Sequence, residues 1–392
     1  MPGEKKIGLQ ALIFSLVAAA FSTIYVTQPV LPVLREEFGV SASTASLTIS
    51  AVIMGISLAN LPFGMLVDRY PIRPIILLGG SVIAACGLFC AVAADLRLLI
   101  AARFVQGLFV PSLTTCLVVH LVRSLPAERL NVVAGSYVSA TVVGGLGGRL
   151  LGGWIHPPLH WRYAFVTASA LLLAATLAAA FRLPKDEGRR EAQQEAAGFA
   201  ALLRRPDLLR VYFVAFGSFF VFSSVFNYLP FYLAAPPFRA STQVITLAYL
   251  SYLVGAFTGP AAGRLSNRIG NGATMALGSA TFAVAIAATF IPSLPVIAAS
   301  LAGVCAGFFA IHSAAAGSLN LRLSTGRGRA NSLYVLFYYI GGSIGITASG
   351  IAFHLAGWHG VGALGILVLA LPFATGVFEM RREQHPRGNI VD

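Results

Sequence analysis

Residues 64–73 read GMLVDRYPIR, and they sit between one long apolar run and another that opens at Pro74. The loop places an acid, Asp68, and two bases, Arg69 and Arg73, at one end of two apolar segments. Gly64 is small enough to let a neighbouring helix come close, and Asp68 can cap a helix or pair with a cation. The pattern returns 199 residues later as Gly263, three residues, Asn267, Arg268, one residue and Gly270. A loop that recurs after half the chain points to two copies of one unit.

That unit belongs in lipid. The chain has 392 residues, of which 57% are hydrophobic and only 10% charged, with a mean hydropathy of +0.80. A soluble chain carries roughly a quarter charged residues, and apolar runs of about 18 or more mark membrane spans. The first apolar run is too long for the core of a signal peptide and is read as a retained first helix.

A formal charge of +13 invites a nucleic-acid reading, but the distribution of the bases opposes it. With the spans given below, 21 of the 27 Lys and Arg fall on one side, four fall opposite (Arg35, Arg97, Arg162, Arg239) and two lie inside spans (Arg103, Arg149). By the positive-inside rule this predicts cytoplasmic termini and no nucleic-acid partner. Cys86, Cys90, Cys116 and Cys305 all fall in spans without His or carboxylate company, so they read as packing residues.

The sequence predicts an all-α membrane protein of twelve spans: 8–34, 45–67, 74–94, 98–121, 130–155, 161–181, 211–235, 243–265, 273–291, 296–321, 330–355 and 361–379. Residues 182–210, with KDEGRREAQQE inside, read as a cytoplasmic linker with a short amphipathic helix near its end. The expected domains are therefore an N-terminal six-helix bundle (1–181), the linker, a C-terminal six-helix bundle (211–379) and a cytoplasmic tail (380–392). The duplication recurs at an offset of 200: QGLFVPS at 106–112 meets AGFFAIH at 306–312, Asn131 meets Asn331, and Gly145 meets Gly345. Two parallel repeats related by a pseudo-two-fold axis along the membrane normal are one way to build an alternating-access transporter.

These residues resemble the major facilitator superfamily along the full chain. The opening loop is similar to the family's signature between spans two and three, with Pro71 where a second glycine is usual. RFVQG at 103–107 resembles its span-four motif, whose arginine is associated with proton coupling or substrate contact. Span five resembles the motif of the twelve-helix drug/proton antiporter branch through Gly135, Gly144, Gly148, Gly152 and Gly153, with Arg149 at the usual proline. The resemblance implies a bacterial inner-membrane location, a central cavity lined by spans one, four, seven and ten, and a monomer in contact with lipid. Spans five and eleven correspond by the repeat, so their glycines, Gly341, Gly342 and Gly345 on span eleven, are expected to pack at the seam between the halves, with Asp68 bonding across its cytoplasmic end as a gate.

Charges inside spans default to functional hypotheses. All 14 acidic residues fall at span ends or in loops, so no mid-membrane carboxylate is available to bind a cationic drug or carry a proton. Arg103 lies about 8 Å and Arg149 about 9 Å from the outer surface at 1.5 Å per residue, which suits an anion-binding pair. Alternatively, Arg149 snorkels to the interface and Arg103 bonds backbone carbonyls. His312, in mid-span ten, is the one mid-span group that exchanges protons near neutral pH, unless it is merely hydrogen-bonded to a neighbour.

Tyr25 and Gln28 share a face of span one, as do Ser224, Asn227 and Tyr228 on span seven, and Gln106 follows Arg103. Each set either faces a polar pathway or hydrogen-bonds between helices. No Walker lysine, phosphate loop or metal cluster is seen in the sequence, so no cofactor is expected and an ion or substrate gradient must supply energy. The reading is a secondary transporter, not an enzyme, exporting a small amphipathic organic compound against protons, with an anion preference that follows from the two arginines and the missing carboxylates. Symport of an organic anion or sugar is the alternative. A membrane sensor or enzyme would need an added domain or catalytic cluster that the sequence does not carry.

Overall fold

The computed structural model describes residues 2–67, 69–124, 127–183, 198–323 and 326–384. Asp68, the acid assigned to the gate, therefore lies outside the described residues, as do linker residues 184–197 and tail residues 385–392.

Among the described residues every regular element is a helix. In chain order these are α1 (Pro2–Tyr25), α2 (Leu31–Glu37), α3 (Ala42–Leu66), α4 (Ile72–Val92), α5 (Leu96–Leu113), α6 (Thr115–Ser124), α7 (Ala127–Ile155) and α8 (Arg162–Arg182). There follow α9 (Phe199–Leu203), α10 (Pro206–Ala234), α11 (Thr242–Ala248), α12 (Tyr252–Ile269), α13 (Asn271–Ala288), α14 (Leu294–Leu321) and α15 (Arg327–Gln384). Ten helices among the described residues are long and apolar enough to cross a membrane. The α7 helix and the division of α15 complete twelve spans.

Local chemistry sets where these helices start and stop. Ser41 caps α3 by accepting from the Thr44 N–H at 3.1 Å, and Asp95 caps α5 by accepting from Arg97 N–H at 2.7 Å. The fourth span is not one straight rod: it breaks at Thr114 into α5 and α6, three residues after Pro111. In α15 the helical path breaks at Ala356 and Gly357, and Gly357 adopts φ 56°, which a side chain would resist. That break coincides with the connection read from the sequence between spans eleven and twelve.

The chain divides into two compact units. One comprises Met1–Gln194 and Leu229–Leu250; the other comprises Glu195–Tyr228 and Ser251–Asp392. In unit 1, α1 packs on α7 and α8, α3 on α5, and α4 on both α5 and α8. In unit 2, α13 packs on α14 and α15, and α12 on α14.

With apolar lipid outside, such contacts rest on close fit more than on hydrophobic burial. The glycines of α7 show how close. A Cβ at Gly144, Gly148 or Gly152 would strike the carbonyl oxygen of Ala18, Ser22 or Val26 respectively. These three are spaced four residues apart on both helices, so α7 and α1 lie backbone to backbone. In unit 2, Gly341 and Gly345 meet the carbonyls of Phe216 and Phe220 in the same way.

The neighbour of Gly144, Gly148 and Gly152 is α1, while Gly153 meets Thr246 on α11. The surroundings of Gly135 lie outside what is described.

Candidate functional site

Arg103 is fully buried in unit 1 and ties three helices together. Its Nε donates to Thr48 O at 2.9 Å and one Nη donates to Thr23 O at 2.6 Å. Further bonds go to Gln106 Oε1 and to Ile24 O. Gln106 in turn donates to Ile83 O on α4 at 3.1 Å. An arginine fork matches several fixed carbonyls at once, which a lysine could not do. Of the two roles open from the sequence, bonding to backbone carbonyls is the one the geometry presents.

Arg149 has different company. Its Nε donates to Gln28 Oε1 at 2.6 Å and one Nη donates to Gly145 O at 2.7 Å. The guanidinium carbon lies 3.9 Å from the ring centroid of Tyr25 and 5.4 Å from that of Tyr249. The residue is 2% exposed, so its head is held inside unit 1 instead of snorkelling outward. Tyr25 and Gln28, grouped from their spacing, do converge, although α1 ends at Tyr25 and a 3-10 turn (Gln28–Val30) carries Gln28 inward.

Sequence reasoning missed Tyr249. Only the fold brings it beside an arginine a hundred residues away.

Unit 2 holds the remaining candidates. Tyr228 donates its hydroxyl to Ile346 O at 2.9 Å, and Ser224 donates to Phe220 O at 2.7 Å. Asn227 is fully buried, and neither of its amide atoms has a hydrogen-bond partner among the described residues. An amide without partners in a buried place is costly.

His312 sits half-buried on α14 with its Nδ1 2.9 Å from the Tyr334 hydroxyl of α15. Its ring stacks on Phe308 with centroids 6.0 Å apart and lies 5.4 Å from Tyr338. The sequence offered no signal for Tyr334, since contact between α14 and α15 cannot be read from spacing on either helix.

The loop that opens the sequence argument is described only in part. Gly64 leaves room, its nearest neighbour for a Cβ being Thr115 Cγ2 at 3.8 Å. Arg69 donates its backbone N–H to Leu66 O at 3.0 Å. Arg73 sends its side chain to the carbonyl of Leu183, with Nε at 2.9 Å, which ties the start of α4 to the end of α8.

In unit 2, Glu379 is 4% exposed and accepts from Arg210 at 3.1 Å and Arg322 at 2.7 Å. Arg205 pairs with Asp207 at 2.6 Å, and Arg322 also donates to Asp207 O at 2.7 Å. This charge network unites the ends of three helices and was not legible from the placement of the acids at span ends or in loops.

Twelve apolar spans with buried polar groups in both sequence halves define a multi-pass membrane transporter. The Major Facilitator Superfamily model matches residues 13–236 and 237–391, and the chain belongs to that family. The inner membrane transport protein YnfM of Escherichia coli is 29% identical over 377 residues, covering 94% of this chain and 90% of the relative. A multidrug resistance protein B homolog of Mycobacterium tuberculosis is 30% identical over 169 residues, or 43% of this chain and 30% of that protein. The solved nucleoside transporter NupG superposes with a TM-score of 0.78 at 12% identity, over 95% of this chain and 99% of that one, a likeness of fold. The chain is a transporter of a small-molecule substrate, not an enzyme.

Proposed function

We propose that this transporter exports a small, amphipathic organic compound with anionic character in exchange for protons, by alternating access. The enclosure of Arg149 by Tyr25, Gln28 and Tyr249 carries the reading. A cation held among aromatic faces and an amide suits a ligand that brings both an apolar body and a negative group. Arg103 and Gln106 act as positioning residues, fixing the α1 backbone on which Tyr25 and Gln28 stand. Asn227 offers a donor and an acceptor from span seven, beside Tyr228. With all the acids at span ends or in loops, His312 is the group that exchanges the proton, and the Tyr334 hydroxyl orients its ring.

The topology proposed with it has bundles at 1–181 and 211–379, joined by a cytoplasmic linker at 182–210, and a cytoplasmic tail at 380–392. The loop of Gly64, Asp68, Arg69 and Arg73 gates the cytoplasmic end, and the transporter works as a monomer in a bacterial inner membrane. The partial likeness to a multidrug resistance protein supports export over uptake.

The test is proton flux in proteoliposomes under an imposed pH gradient, with matched anionic, neutral and cationic organics. Anions alone should move protons, and His312→Gln should abolish proton movement while leaving substrate exchange between equal pools. Lipophilic cations driving the flux through an unaffected Arg149→Ala protein would overturn the anion reading.

A further inference from the structure

The second copy of the opening loop borders a cavity of about 430 Å³ that lies wholly within unit 2. Its lining includes Ser266 and Asn267 of α12, Asn271 of α13, Ser313 and Asn320 of α14, and Arg327 of α15. These are hydroxyls, amides and a guanidinium, without a carboxylate or an aromatic ring among all the residues that line it. The volume falls in the roughly 300–1,000 Å³ range of small-molecule sites.

Some of the lining is already engaged. Ser313 donates to Gly259 O at 3.2 Å, Asn320 donates to Ala316 O at 2.9 Å, and Arg327 Nε donates to Leu323 O at 2.9 Å. The Ser266 hydroxyl is enclosed and has no hydrogen-bond partner among the described residues. The carboxylate of Glu383 is near but occupied, accepting from the Gly272 N–H at 3.3 Å.

Charge separates the two loop copies. The first carries Asp68 where the second carries Asn267, while the following arginine, Arg69 or Arg268, is kept. A carboxylate at Asn267 would repel an anion in this cavity, whereas the amide can donate to it. Arg264 and Arg268 stand exposed on the same helix and raise the local positive potential.

We infer that this cavity binds a phosphate group, presented either by the headgroup of an anionic phospholipid or by a soluble phosphate ester. Arg327 supplies the charge-assisted contact, Ser266 and the asparagines supply neutral donors, and the missing acid makes the site selective for anions. The cavity lies at the end of unit 2 that carries Arg264, Arg268, Arg327 and Arg329, the side on which the chain concentrates its bases. A headgroup of the leaflet on that side is within its reach.

Binding is measured on the delipidated full-length protein in detergent, by native mass spectrometry with phosphatidylglycerol or phosphatidylcholine and by calorimetry with glycerol 3-phosphate. Phosphatidylglycerol should be retained in preference to phosphatidylcholine, and Arg327→Ala or Asn267→Asp should each weaken it about tenfold. Glycerol 3-phosphate binding with the same sensitivity to the variants assigns the site to a soluble ester. Retention of the lipid without it assigns the site to the membrane. Ser266→Ala replaces any variant that does not melt like the parent, and it too should bind more weakly. Equal retention of both lipids with no heat from the ester overturns the site, as do variants that bind like the parent. The readout is binding, not transport, so the site stands or falls separately from the export reading.

Discussion

The guanidinium of Arg149 stands 3.9 Å from the centre of the Tyr25 ring while its Nε holds Gln28 at 2.6 Å. One side chain thus joins the last third of α7 to the inward turn that follows α1. The contact uses both the aromatic face at position 25 and its hydroxyl, which is hydrogen-bonded to the guanidinium.

Tyr25→Phe keeps the ring and loses the hydroxyl's bond to Arg149, so it should lose a few-fold in apparent substrate affinity, whereas Tyr25→Leu should lose about tenfold or more, the worth of a desolvated cation–π contact of roughly 1–2 kcal/mol. Arg149→Lys keeps the charge and loses the planar stack, and it should fall between these two. Concentration dependence of uptake into everted vesicles, with the quantity of folded protein matched, checks the order.

Where α7 and α1 touch backbone to backbone, a side chain cannot be accommodated. Gly148→Leu should push the helices apart and lower the melting temperature in detergent by several degrees, because overpacking costs about 1–3 kcal/mol or more. Gly147 has nothing within 4 Å of its would-be Cβ, so Gly147→Ala should melt like the parent. Equal effects of the two would refute the packing row.

Arg103 satisfies carbonyls on α1 and α3 and an amide on its own helix. Arg103→Gln leaves several buried acceptors without donors, at about 1–3 kcal/mol each. Stability and transport should decline together, and Arg103→Lys should recover only part of either. A variant that melts like the parent but no longer transports would move Arg103 from a positioning residue to one that touches substrate.

Glu379 stands between Arg210 and Arg322 with its own side chain almost fully covered. Glu379→Gln removes the charge and leaves two arginines facing each other. The loss in stability should be real but below the roughly 3–5 kcal/mol of a fully buried pair, because the Arg210 side chain is 30% exposed. Raising the salt concentration should narrow the gap between the variant and the parent in thermal unfolding, as screening predicts.

The membrane fold is legible in the sequence because lipid enforces it: a span must be long and apolar, and Arg103 and Arg149 stand out against such a background. The repeat is legible because a loop needs particular residues at its turn. What the sequence hides is which atoms those two arginines reach. Tyr249 and Tyr334 come to Arg149 and His312 through contacts between distant helices, and nothing in the residues adjoining them signals it. Likewise the glycines of α7 announce a close approach but not the partner, and α1 emerges as that partner only in three dimensions.

The bonds of Arg103 have a mechanical meaning. A single head group fastened to Thr23, Ile24 and Thr48 main-chain oxygens prevents α1, α3 and α5 from sliding along one another. The three helices are therefore expected to shift together. Amide hydrogens facing that junction should then exchange with solvent as one slow class, released only when the whole junction comes apart.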